Sequence, residues 1–188
     1  MTTRFKSLKL GSTFSVKALI ALAMSASLSA CGFHLLGTDG AGGWNANNTA
    51  PLPHSVAFVG DTDNEIVDFL KQQKPTNVSY ATPDKADLTL DMGSISSGKS
   101  TLSTNSAGTA TEYRVTLSVI IQIYDAQKNQ LLKPTRLTTA RNLIVGAGYA
   151  TAEDAEYERL RTDMAQELAN SIAYRMRAVW FSREQQKR

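Results

Sequence analysis

The sequence predicts an α+β fold: a two-layer sandwich of four mostly antiparallel strands with two helices on one face, in the order β-α-β-β-β-α. Three observations predict it. Tyr113, Val115, Leu117, Val119, Ile121 and Ile123 alternate with Glu112, Arg114, Thr116, Ser118 and Gln122, the period-two pattern of a strand buried on one face. Tyr157, Leu160, Met164, Leu168, Ile172, Met176 and Val179 recur at three- and four-residue spacing, which is the apolar stripe of a long amphipathic helix. Three strand patterns follow one another between the two helical ones, an order that suits helices on one side of an antiparallel sheet.

Taken in order, the folded domain spans 54–182. Val56-Ala57-Phe58-Val59 is a short buried strand closed by Gly60. Asp61, Thr62 and Asp63 are capping types, and Ile66, Val67, Phe69 and Leu70 then keep helical spacing up to Lys74, where Pro75 stops it. Val78-Ser79-Tyr80 is a short extended piece. Leu88, Leu90 and Met92 alternate with Asp87, Thr89 and Asp91, so the next strand is half buried and its two aspartates share the polar face. Solvated strand residues explain that pair better than acid–base chemistry does. From Gly93 to Thr111 the chain is mostly Ser, Thr, Gly and Ala, with one charge, Lys99, and one apolar residue of note, Leu102, and reads as a long mobile loop.

The strand over Tyr113–Ile123 is followed by a turn at Asp125–Asn129 and a return strand from about Leu131 to Val145. Pro134 near its start favours an edge or a bulge. Thr151, with Asp154 three residues on, resembles a capping box. Glu153, Asp154, Glu156 and Glu158 crowd the first turns, while Arg175 and Arg177 lie near the end, as the helix dipole favours. A helix from Thr151 to Arg177 is roughly 40 Å long at 1.5 Å per residue. The residues after Phe181 are polar and basic, and 183–188 read as a frayed tail.

The N-terminus carries a different signal. Residues 1–30 hold Arg4, Lys6, Lys9 and Lys17, no acidic residue, and an apolar run from Ala18 to Ala26 broken only by Ser25. That is a secretory signal peptide, too short to span a bilayer. Leu28-Ser29-Ala30-Cys31 matches the bacterial lipobox, which assigns cleavage before Cys31 and lipidation of its sulfur and new amino group. Several acyl chains anchor a protein stably. Gly32 stands where inner-membrane lipoproteins carry Asp, so the expected destination is the outer membrane, on its periplasmic side. Residues 31–53, rich in Gly and Asn and containing Trp44, read as a flexible tether.

Composition narrows the function classes. Without the four N-terminal basic residues, the 20 Lys and Arg become 16 against 17 Asp and Glu, a net charge of −1. The basic character belongs to the precursor and is no argument for nucleic-acid binding. With Cys31 lipidated no cysteine is left for a disulfide, so the fold rests on its core. The two histidines, His34 and His54, lie at the anchor and the domain entrance. No His, Cys or carboxylate cluster has metal-ligand spacing, and no nucleophile-elbow sequence occurs. Gly146-Ala147-Gly148 lacks the third glycine of a dinucleotide loop. No cofactor is called for, and nothing in the residues asks for an enzyme.

These residues also carry a resemblance. Cys31-Gly32-Phe33-His34-Leu35 is similar to the opening of the lipopolysaccharide-assembly lipoproteins (LptE, formerly rare lipoprotein B). Glu112-Tyr113-Arg114-Val115-Thr116-Leu117, then Tyr124-Asp125, then Ala155-Glu156-Tyr157 resemble that family in the same order. The chain departs from it at Leu36 and Glu153, where the family often has a basic residue. The resemblance implies a non-enzymatic, two-layer α/β domain seated 1:1 as a plug in the lumen of a large outer-membrane β-barrel (LptD-like). Such a domain assists the barrel's assembly and binds lipopolysaccharide. Barrel interiors are polar, and the Thr, Ser and Gln strand faces suit one. Lipopolysaccharide phosphates call for Lys or Arg, and the candidates are Lys99, Arg136 and Arg141. The alternatives are an accessory lipoprotein of another envelope lipid-transport (ABC) system and, behind it, an enzyme of envelope polysaccharide.

Overall fold

The computed structural model describes residues 51–145 and 150–187. The signal segment, Cys31, Trp44 and the tether up to residue 50 lie outside the described residues, as do 146–149. The elements are β1 (Ser55–Gly60), α1 (Glu65–Gln72), β2 (Ser79–Tyr80), β3 (Leu88–Met92), β4 (Ser96–Thr104), β5 (Ala110–Asp125), β6 (Gln130–Ile144) and α2 (Ala150–Gln186). The sheet has six strands, not the expected four, and is mixed. β1 runs parallel to β2 and β3, while β3, β4 and β6 run antiparallel to β5. β5 is the spine. β3 pairs with its C-terminal part and β4 with its N-terminal part along one edge, and β6 follows the other edge.

One face of this sheet carries the core. Leu88, Leu90 and Met92 of β3, the odd-numbered residues Val115 to Ile123 of β5, and Leu137 and Leu143 of β6 are buried there. They pack with Ile66, Val67 and Leu70 of α1 and with Met164, Leu168, Ile172 and Met176 of α2. Both helices therefore cover the same face, as the two apolar stripes require. Ala165, Ala169 and Ala173 are buried beside that stripe; small side chains at four-residue spacing let α2 lie close to its neighbours. Fully burying one such aliphatic side chain contributes about 1.5–3 kcal/mol.

Local chemistry sets the ends. The side chain of Asn64, not one of the preceding Asp61, Thr62 or Asp63, caps α1 by accepting from the Val67 amide at 3.1 Å. Gly60 has φ +83°, and a Cβ there would sit 2.2 Å from the Met92 carbonyl oxygen; only glycine fits while the Asp61 amide donates to that same oxygen at 2.8 Å. Asp87, expected to be merely solvated, accepts from the His54 and Ser55 amides at 2.9 and 3.1 Å and fixes the start of β1. Pro134 sits in a bulge on an edge strand: Lys133 and Pro134 together oppose Gln122, between the pairs Ile121–Thr135 and Ile123–Leu132.

Further expectations are corrected. The stretch Gly93–Thr111 is not a loop. Nine of its residues form β4, exposed on both sides and joined to β5 by a tight turn in which Asn105 Oδ1 accepts from the Ala107 and Thr109 amides, both at 3.0 Å. Gly108 supplies the positive φ of 77°. Backbone pairing to β5, not apolar burial, holds this strand. The final helix does not end at Arg177 or fray after Phe181. It runs to Gln186, because Trp180 is buried and Arg183 is tied to Asp125. At the other end the helix is already formed at Ala150, so Thr151 lies within it and not at its cap.

Candidate functional site

The surface best equipped to meet another molecule is built from β4, the N-terminal half of β5 and the C-terminal half of β6. On the face away from the helices, register aligns nine residues in three rows: Ser96–Ser118–Thr138, Gly98–Thr116–Ala140 and Ser100–Arg114–Asn142. Period-two alternation forces this. The odd positions of β5 are apolar and turn to the helices, so the even ones, Arg114, Thr116 and Ser118, turn away. The result is a tile of mostly small side chains, rich in hydroxyls and with the Arg114 guanidinium and Asn142 amide in its last row. At one end Glu112 accepts from Ser103 Oγ at 3.2 Å and from Asn142 Nδ2 at 2.9 Å.

The three candidate cations do not converge. Lys99 and Arg141 stand in one row on either side of Val115, on the helix-covered face. Each is claimed by a carboxylate of α2. Lys99 Nζ donates to Glu153 Oε1 at 2.7 Å and lies 4.1 Å from the Tyr113 ring centroid and 5.5 Å from that of Tyr157. The hydrogen bond to Glu153 holds its ammonium above the ordinary lysine value. Arg141 is paired with Glu167. Arg136 alone lies on the open face, where its Nη1 donates to the uncharged Ser118 Oγ at 3.2 Å. Its charge is the least neutralised of the three. Sequence reasoning passed over Arg114, which shares that open face.

At the opposite end of the sheet the polar groups serve the fold. Asp125 is buried. Its carboxylate accepts from the Gln127 and Asn129 amides, from Asn129 Nδ2 and from Arg183 Nε. Burial pushes its pKa up, but these hydrogen bonds outweigh it and hold the carboxyl below the usual 3.8. Arg183 also donates to Gln127 at 2.8 Å and stacks 4.9 Å from the Trp180 ring centroid. A cleft of about 390 Å³ beside it is lined by Gln130, Leu131, Val179, Ser182 and Gln186 among others, a lining with no nucleophile–base pair. Among the described residues no group of His, Cys, Asp or Glu could hold a metal, and no helix is long and apolar enough to cross a membrane.

Comparison with known proteins bears on the whole domain. The profile of the LptE family, described as lipopolysaccharide-assembly, matches residues 46–176. No protein of curated description matches the chain by sequence. Among solved structures, the rare lipoprotein B of Shewanella oneidensis is 22% identical with a TM-score of 0.61, over 69% of this chain and 98% of that one. The minor lipoprotein of Acinetobacter baumannii is 20% identical with a TM-score of 0.56, over 68% and 92%. A lipoprotein B of Nitrosomonas europaea is 19% identical with a TM-score of 0.56, over 65% and 81%. At these identities the structures bear on the fold alone.

Proposed function

Because the chain belongs to the LptE lipopolysaccharide-assembly family, we propose that it is the outer-membrane lipoprotein subunit of a lipopolysaccharide translocon. In this reading Cys31 carries the lipid anchor, on the periplasmic side of the outer membrane. The domain plugs a large LptD-like β-barrel 1:1, assists the barrel's assembly and acts without catalysis. The observation that carries the reading is the open, hydroxyl-rich tile on the sheet, with Arg114 and Asn142 at one end. A barrel lumen is lined by polar side chains, and a face of hydroxyls flanked by the guanidinium groups of Arg114 and Arg136 can exchange hydrogen bonds with it.

Lipopolysaccharide enters the same reading through its phosphates. Arg136 is the best-placed contact, since the hydrogen-bond partner it has among the described residues, Ser118, is neutral. Lys99 and Arg141 would each have to give up a carboxylate of α2 first. Arg136→Ala should therefore weaken lipopolysaccharide binding more than Arg141→Ala, and low salt should widen the difference. The experiment for the main claim is purification of the intact lipoprotein from outer membranes, with mass spectrometry of what accompanies it. A stoichiometric barrel of far greater mass supports the reading. Recovery of an inner-membrane permease instead would replace it with the accessory role in another lipid-transport system.

A further inference from the structure

The sheet's edges are not protected alike. β2 is only two residues long. β6 is broken by the Lys133–Pro134 bulge and carries Arg136 and Arg141; prolines, bulges and charges are the devices that keep an edge from pairing. β4 has none of these between Ser96 and Thr101. It has no proline, and its single cation, Lys99, is drawn onto the helix face by Glu153. Among the described residues nothing pairs with its outer edge.

Register shows which backbone groups are free there. The Val145 amide donates to the Thr111 carbonyl, so odd residues of β5 direct their backbone groups to β6. Even residues direct theirs to the other edge, as the Gly93 amide donating to the Ile120 carbonyl also requires. Ser96, Gly98 and Ser100 oppose even residues of β5 and are bonded inward. Ser97, Lys99 and Thr101 therefore turn their N–H and C=O groups outward. Gly98 adds a second observation. A Cβ there would meet nothing within 4 Å and its φ is not in the left-handed region, so the fold itself gives no reason for glycine. A bare position within a strand is where another backbone approaches closely.

We propose that β4 is a docking edge, which an extended segment of the barrel partner joins as a further strand through the outward groups of Ser97, Lys99 and Thr101. The occupant is the partner and not a second copy of this chain. Self-pairing over these nine residues would bury one exposed apolar side chain, Leu102, and otherwise Ser, Thr, Gly and the Lys99 stem, well short of the roughly 1,200 Å² that a stable interface needs. A partner that already encloses the domain needs no such area from this edge. The inference rests on the barrel reading above.

The test uses the intact lipoprotein, free and in complex with the co-purified barrel. Amide hydrogen exchange within 96–104 should slow by about tenfold or more at the outward amides on complex formation. Ser97→Pro, which removes an outward N–H and no bond to β5, should lower the recovered barrel about tenfold, whereas Ser97→Ala should leave it unchanged. Exchange at these amides that is equally fast with and without the barrel overturns the docking edge and leaves the barrel reading standing. That measurement needs no variant to fold. Slow exchange in the free protein, accompanied by a doubled mass, would assign the edge to self-pairing and overturn the partner. If the wild type recovers no barrel at all, the reading beneath the inference falls with it.

Discussion

β5 passes through two environments, and its two halves contrast in what holds them. From Val119 to Asp125 it lies between β3 and β6 under both helices, with Ile121 and Ile123 fully buried. From Ala110 to Ser118 it lies between β4 and β6, where every residue of β4 is exposed. The first half is held by apolar packing. The second is held by ladder hydrogen bonds, by Val115 and Leu117, and by the links from Lys99 and Arg141 to α2. Stability and surface are thus divided along one strand, and the end that contributes least burial offers the most unspent hydrogen-bonding capacity.

The contrast is broken most readily on the helix-covered face. Leu168→Ala and Leu117→Ala each remove a buried side chain and should cost about 2–5 kcal/mol, read as a shift in a denaturation midpoint. Thr116→Ala, one residue along on the open tile, should cost well under 1 kcal/mol. Equal losses at Leu117 and Thr116 would mean that β5 presents the wrong face to the helices.

Next comes the far turn. Asp125→Ala takes the buried carboxylate from Arg183, which keeps Glu184 at 3.2 Å, and leaves the Gln127 and Asn129 amides without their acceptor; it should cost about 1–3 kcal/mol. The pH dependence has a definite sign. The folded carboxyl has its pKa below 3.8, so its contribution is complete above that value and is lost as pH falls through the lower, folded value. Wild type should exceed Asp125→Asn in stability at neutral pH, and the gap should close in strong acid. A gap that widened with acidification would contradict the hydrogen-bonded, ionised Asp125.

The smallest of these effects belongs to the polar half. Lys99→Gln loses a partly exposed ion pair with Glu153 and should cost about 0.2–1 kcal/mol, diminishing with salt. Lys99→Glu sets two carboxylates together and should cost more than Lys99→Gln. If both variants melt like wild type, Lys99 does not tie β4 to α2.

The same division explains what could be read from the sequence. The odd positions of β5 and the stripe from Tyr157 to Val179 were legible because one face is buried and the other is not, which writes a period into the residues. β4 was not legible because both its faces meet solvent, so no alternation is selected and Ser, Thr and Gly look like a loop. The available signal was the turn, Asn105-Ser106-Ala107-Gly108, which reverses the chain between two pairable stretches. The end of α2 was missed for a related reason. Arg183 reads as a solvated tail until the turn at Asp125, 58 residues earlier, is brought beside it. The three cations were legible as charges but not as a group. Only register puts Lys99 and Arg141 on the helix face and leaves Arg136 on the open one.

The central claim is that the packed half holds the fold so that the polar half can meet the barrel. Ala140 tests it most directly, because it is exposed, lies in the middle row of the tile beside Thr116, and contributes nothing to the core. The measurement is the amount of barrel recovered with intact Ala140→Trp lipoprotein, in a preparation whose thermal unfolding matches wild type. The account predicts a loss of most of the barrel, because an indole standing on the flat tile keeps it from the lumen wall. Recovery equal to wild type would contradict it.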